Sequence, residues 1–367
     1  MENREVKKFI IIAVIISIFS FAIGGIGAYF LLTQNDILSQ TVINRLEKEV
    51  IIDDQGIAEA VNKLYDAVVV VQATTGNRAA GGTGFVYKVV SNTAYIITNS
   101  HVIEGSDNVT VKFTDDSIHE VRVVGEDAFS DIAVLALDAS NIIKVAQLGS
   151  SDDARLGDTV FTIGAPIHIE YSWTVTRGIL SGKDRLIDIN LGATGRNPNW
   201  TMRVLQTDAA INSGNSGGPL ANANGEVIGV TNMKLVASGV EGMGFAIPIE
   251  DAIYAANQLI EHGTITRPVL GIILADVNET RELRNNNITL DSSITSGAVI
   301  ISINPGSVAA EAGLEPGDVI TKLGNYEIRS TARLRYHLFR YTVGDNTEIT
   351  FIRGSNTQTV NITLSQS

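Results

Sequence analysis

Apolar residues follow three different patterns along the chain. Residues 9–32 form an uncharged run that follows Arg4, Lys7 and Lys8. At ~1.5 Å per residue, a helix of that length is longer than a hydrocarbon core of ~30 Å, which predicts a transmembrane helix over 9–32. Residues 33–58 are polar and charged, with only a weak helical spacing of Ile37, Val42, Ile43 and Leu46, and read as a linker. From Ala67 the pattern changes to short β-branched runs at 68–71, 85–87, 95–97, 109–113, 121–124 and 132–135, divided by Gly, Asn, Asp and Ser. Such spacing predicts antiparallel barrels. Residues 250–262 read as a helix, and the stretch from Gly263 to Pro268 as a boundary before a last domain.

The flanking charges orient the first helix. Arg4, Lys7 and Lys8 precede it, whereas Asp36, Glu47, Glu49, Asp53 and Asp54 outnumber Arg45 and Lys48 after it. The short amino end (1–8) is therefore expected in the cytoplasm and the remainder outside. A cleaved signal peptide is the rival reading, but the run exceeds a usual signal core and no Ala-x-Ala site follows it.

A chain of 367 residues has room for two or three domains. The net charge of −13, from 40 acidic and 27 basic residues, argues against nucleic acid as a partner. With no cysteine, the chain has no disulfide, no thiolate nucleophile and no zinc–cysteine site. No metal or other cofactor is expected.

Candidate chemistry centres on Ile211-Asn212-Ser213-Gly214-Asn215-Ser216-Gly217-Gly218-Pro219-Leu220. Glycines on both sides of Ser216 build a bend that leaves its hydroxyl uncovered. The N–H groups of Gly214 and Ser216 can there converge on an oxygen that turns negative during acyl transfer. A glycine-rich surface turn is the plainer reading of the same residues. A serine nucleophile needs a base, and the base needs an orienting carboxylate. His101, one of five histidines, ends a strand-like run, and Asp131 opens another at 131–137. Taken singly, each fits a structural role. Together, His101, Asp131 and Ser216 follow the chain order of chymotrypsin-like enzymes.

The stretches Thr98-Asn99-Ser100-His101-Val102-Ile103, Ser130-Asp131-Ile132-Ala133-Val134-Leu135 and Gln206 through Leu220 closely resemble the HtrA (DegP/DegS-like, Do-like) serine proteases. Similarity in 222–229 and 241–248 extends the match over about 59–367. The resemblance implies a mainly β chain with a chymotrypsin-like double six-stranded β-barrel protease domain over 59–263 and one PDZ domain over 264–367. His101 and Asp131 would come from the first barrel and Ser216 from the second. It also implies a homotrimer acting on unfolded or misassembled proteins outside the cytoplasm, as an endopeptidase of envelope quality control and stress response. A dedicated regulatory protease making one signalling cut, and a non-proteolytic chaperone or PDZ scaffold, are the alternatives.

Three further expectations concern specificity and control. Ala210, six residues before Ser216, stands where enzymes that cut after Lys or Arg carry an aspartate, so a small apolar S1 pocket is expected. Asn215 is not an aspartate that could pair with a freed amino terminus, so control is assigned to loops at about 165–176, 183–200 and 231–242. The second of these is long and polar and also fits a plain solvated insertion. In the last domain, Val269-Leu270-Gly271-Ile272 is expected to receive the free carboxylate of a C-terminal peptide as a backbone nest. A helix over 331–341 with Leu334 and Leu338 on one face would line the adjoining pocket, unless those leucines are ordinary core.

Overall fold

The computed structural model describes residues 2–43, 54–76, 78–165, 173–189, 199–232 and 242–366. The expected control loops fall largely in 166–172, 190–198 and 233–241, outside the described residues. What is described corrects the first two of them: Thr174–Thr176 is already strand, paired with Thr162–Gly164. Lys183 through Ile189 is strand, paired to the strand that begins at Trp200.

Two units make up the chain, Met1–Asp53 and Asp54–Ser367. In the first, α1 (Glu2–Ile43) includes Lys7–Ile26, a segment long and apolar enough to cross a membrane. The helix continues past residue 32 because no Gly or Pro interrupts the sequence between Ala28 and Gln55.

The second unit opens with α2 (Asp54–Leu64), which begins inside the stretch read as linker. Ile57, Ala60, Val61 and Leu64 recur at helical spacing, and Ala60 and Leu64 are buried in the core beneath the sheets. Seven strands follow: β1 (Val68–Thr75), β2 (Arg78–Val90), β3 (Thr93–Thr98), β4 (Asn108–Lys112), β5 (Ile118–Glu120), β6 (Arg122–Asp127) and β7 (Ile132–Asp138), with α3 (Ser100–Ile103) after β3. Their order is β5-β4-β1-β2-β3-β7-β6. The two outer members are one extended segment broken only at Val121, whose N–H donates to Val109 at 3.1 Å. Counted as one strand that pairs with β4 and then with β7, they close a six-membered ring.

The second half forms a closed barrel of β8 (Thr159–Gly164), β9 (Thr174–Ile189), β10 (Trp200–Thr207), β11 (Pro219–Asn222), β12 (Val227–Thr231) and β13 (Gly244–Pro248). Alternate apolar residues fill both interiors. Phe85 and Ile97 from the first half share one core with Phe161, Ile163 and Val230 from the second. Fully burying each such side chain is worth ~1.5–3 kcal/mol. The following helix, α4 (Ile249–His262), buries Ile249, Ala252, Ala255, Ala256 and Leu259 against β6, β7 and β12.

The carboxyl-terminal domain holds β14 (Ile272–Asp276), α5 (Thr280–Asn285), β15 (Ala298–Ile303), α6 (Val308–Glu311), β16 (Val319–Leu323), β17 (Tyr326–Glu327), α7 (Thr331–Leu338), β18 (Asn346–Arg353) and β19 (Asn356–Thr363). The sheet runs β14-β15-β16-β18-β19, with β17 on β16, so β14 is an edge. Helix α7 stops at Leu338 rather than at residue 341, and Leu334 and Leu338 are buried in this domain's core. Its other side packs on β10. There Arg335 donates to the Asn199 carbonyl at 2.9 Å, and the Phe339 ring meets Phe129 and Trp200, each at 5.3 Å.

Candidate active site

His101 lies in α3, one turn beyond the end of β3, where the chain leaves the sheet and turns back on itself. Asp131 stands in the turn immediately before β7 with φ of +52°, a left-handed conformation that aspartate tolerates better than most residues. The strand pairing of β3 with β7 brings the two residues together across about thirty positions of sequence. Asp131 Oδ2 lies 2.7 Å from His101 Nδ1, and Asp131 Oδ1 accepts the His101 backbone N–H at 3.0 Å. The carboxylate thus fixes the imidazole by ring and by main chain. Asp131 is buried, and its backbone carbonyl takes Ser100 N–H at 3.2 Å and Asn99 Nδ2 at 2.8 Å.

Ser216 comes from the other half, in the turn between β10 and β11. Gly217, with φ of +84°, allows that turn to press on the first half. A Cβ built there would lie 2.2 Å from the Thr83 carbonyl oxygen and 2.3 Å from Thr98 Oγ1, positions no side chain can share. The Ser216 carbonyl accepts Thr83 N–H at 2.9 Å, and Gly217 N–H donates to Thr231 at 2.9 Å. The serine is thereby seated against the end of β3, three residues before His101.

Two residues that sequence reasoning passed over belong to this arrangement. Asn232, just after β12, donates through Nδ2 to Asp131 Oδ2 at 2.7 Å. Thr83, inside the run Gly81-Gly82-Thr83-Gly84, donates from Oγ1 to the Gly214 carbonyl at 2.6 Å and accepts Ala165 N–H at 3.1 Å. Gly214 itself has φ of +102°. Thr83 thus holds the carbonyl of Gly214, one of the two residues whose N–H groups are the expected oxyanion donors. No local signal marks either residue, because both act across strands distant in sequence.

Ala210 is exposed on the segment leading to Ser216. Its carbonyl accepts Thr176 Oγ1 at 2.9 Å and Asn215 Nδ2 at 3.3 Å. In the last domain, Gly271 has φ of +69°, and a Cβ on it would meet Ser307 Cβ at 2.3 Å. Val269 N–H is already given to the Ser365 carbonyl at 2.9 Å, and the Leu270 and Gly271 carbonyls accept Ala309 and Asn304 N–H groups. Among the described residues no partner engages the N–H of Leu270 or of Gly271, so the turn presents two of the four expected donors. Ile272 opens β14 beside them. Among the described residues no group of three or more His, Asp or Glu side chains could hold a metal ion.

The loop before Asp131 is tied to the interdomain segment. Arg267 donates from both terminal nitrogens to Asp127, at 2.6 and 2.7 Å, and Asp127 Oδ2 also accepts the N–H and hydroxyl of Ser130 at 2.7 Å each. Burial works against ionisation of Asp127, but these bonds and the Arg267 charge outweigh it and hold the carboxyl below the usual range. The Arg267 guanidinium lies over the rings of Phe129 and Phe339, at 5.2 and 5.1 Å.

Comparison with known proteins agrees with this geometry. Residues 82–230 match the family described as a trypsin-like peptidase domain, and residues 268–364 match the PDZ domain. The chain is 40% identical over 287 residues to the serine protease Do-like HtrB of Bacillus subtilis (strain 168), covering 77% of this chain and 62% of that relative. It is 37% identical over 292 residues to the serine protease Do-like HtrA of Lactococcus lactis subsp. cremoris (strain MG1363), covering 78% and 71%. Among solved structures, the serine endoprotease from Yersinia pestis superposes with a TM-score of 0.62 at 30% identity, over 85% of this chain and 98% of the other. The HtrA-type protease AlgW with tripeptide also gives 0.62 at 30% identity, over 84% and 96%.

Proposed function

The chain belongs to the HtrA, or Do-like, serine proteases, and from that premise we propose that it is an endopeptidase cleaving unfolded or selected proteins outside the cytoplasm. The observation that carries this reading is the buried Asp131 carboxylate, 2.7 Å from His101 Nδ1, beside a turn that seats Ser216 against the same strand end. In this mechanism His101 Nε2 takes the Ser216 proton as Oγ attacks the substrate carbonyl. Asp131 keeps the proton on Nδ1 and stabilises the imidazolium. The N–H groups of Gly214 and Ser216 hold the oxyanion, and the same histidine protonates the leaving amine. Water then repeats the sequence to release the acyl group. Nothing in this sequence of steps calls on a cofactor.

Regulation and placement belong to the same proposal. The segment Lys7–Ile26 would anchor the chain, with the body exported, and the carboxyl-terminal domain would bind C-terminal peptides at Leu270 and Gly271 along the open edge of β14. The trimer and the envelope stress role are proposed from family resemblance alone. A single experiment tests both activity and the small apolar S1 pocket at Ala210. Unfolded casein is incubated with the full chain and with Ser216→Ala, and the cleavage sites are mapped by mass spectrometry. Cuts after Val, Ala or Ile that vanish in Ser216→Ala support both. Cuts after Lys or Arg contradict the pocket, because a charge entering it would lose its hydration without a partner. Absence of any Ser216-dependent cut contradicts the enzyme.

A further inference from the structure

A cavity of about 360 Å³ lies where the carboxyl-terminal domain meets the protease body. That size is within the ~300–1,000 Å³ of small-molecule sites. Its walls are rich in aromatic rings: Phe129, Trp200 and Tyr254 from the body, Tyr336 and Phe339 from the other side. Three guanidinium groups also line it, and they differ in what they meet. Arg203 is held by Asp251 at 2.9 Å and Arg267 by Asp127 at 2.6 Å. Arg340 meets the Tyr336 hydroxyl at 3.1 Å and lies 5.5 Å from the centre of that ring, and among the described residues no carboxylate comes within 4 Å of it.

The buried Trp200 indole, whose Nε1–H meets no acceptor among the described residues, belongs to the same wall. Asp251, the carboxylate among the lining residues, is already occupied by Arg203. Arg340 therefore brings a positive charge, with no carboxylate partner among the described residues, to the rim of a cavity walled by rings. A hydrated inorganic anion matches the charge but not the walls, and a neutral apolar molecule matches the walls but not the charge. We propose that this cavity binds a small aromatic carboxylate, with its ring among the aromatic side chains and its carboxylate on Arg340. The cavity wall runs through Phe129 and Ser130 directly into Asp131, so the occupant would rest against the loop that presents the catalytic carboxylate.

Binding can be measured without reference to turnover. The full chain in lipid nanodiscs is titrated calorimetrically with 3-phenylpropionate and with its neutral amide, against empty nanodiscs. The carboxylate is expected to bind about tenfold or more tightly than the amide, the gain of a charge-assisted hydrogen bond. Arg340→Ala should erase that difference and Arg340→Lys should retain part of it. Arg340 is exposed, so neither change threatens folding. Equal affinity for acid and amide, no binding of either, or tight carboxylate binding that survives Arg340→Ala overturns the assignment. The last outcome would place the carboxylate elsewhere, such as on Gly271.

Discussion

The Asn232 side-chain amide donates to the same oxygen of Asp131 that faces His101 Nδ1, each contact being 2.7 Å long. Removing one donor from a buried carboxylate loosens its aim on the imidazole without touching the substrate. Asn232→Ala should lower kcat about tenfold to a hundredfold, the loss of a hydrogen bond to a charged group, and leave KM nearly unchanged. Steady-state kinetics on a peptide substrate provide the check. An unaltered kcat would show that Asp131 is held well enough by the backbone alone.

In the proposed mechanism Thr83 would bear on the oxyanion donor Gly214 rather than on the base. Its hydroxyl fixes the Gly214 carbonyl at 2.6 Å, and losing it leaves that carbonyl and the Ala165 N–H unpaired. Thr83→Val should reduce kcat about tenfold or more, since an unsatisfied buried polar group costs ~1–3 kcal/mol, and Thr83→Ser should restore it. Equal activity of the valine and serine variants would remove Thr83 from any positioning role.

Much of this arrangement was legible in the sequence, for reasons that differ by residue. His101, Asp131 and Ser216 each sit at a strand end or bend that local pattern reveals, and their chain order supplied the link between them. Thr83 and Asn232 were not legible, because they act through pairings that exist only once the two barrels meet. The linker assigned to 33–58 overlaps only the first residues of α2, 54–58, although Ile57, Ala60, Val61 and Leu64 carry a helical stripe across that boundary. The opposite error befell 183–189, where the polar run Lys183-Asp184-Arg185 read as loop. It is strand, with Arg185–Ile189 paired residue by residue with β10 and Lys183 and Asp184 lying at a register shift, as a ribbon exposed on one face permits.

The junction between the domains has a defined dependence on pH. Asp127 has a lowered pKa in the folded chain, so its pairing with Arg267 contributes stability above the unfolded value of ~3.9 and loses it as pH falls through the lower folded value. Arg267→Ala leaves the carboxylate buried without its cation, at a cost of about 3–5 kcal/mol near neutrality. The gap in thermal midpoint between wild type and variant should be widest at neutral pH and shrink in acid, where protonation relieves the variant. A gap that stays constant with pH would mean that the loss is one of packing on Phe129 and Phe339.

In the proposed reading, peptide capture by the carboxyl-terminal domain would use two donors, the N–H groups of Leu270 and Gly271. A peptide with an apolar carboxyl end should bind the full chain about tenfold or more tightly than its carboxamide twin, by fluorescence anisotropy, because the N–H groups meet a charge only in the first. Equal affinity would show that the turn does not read the carboxylate.

The triad itself is tested most directly by labelling the full chain with a fluorophosphonate, which reacts only with a serine whose proton has a base to go to. Wild type should be labelled at Ser216. Ser216→Ala and His101→Ala should both be blank, because the pair acts as one unit, and Asp131→Asn should be severely slowed by the wrong histidine tautomer. Labelling of His101→Ala at the wild-type rate would contradict the assignment of the base, and with it the mechanism built on Asp131 and Ser216.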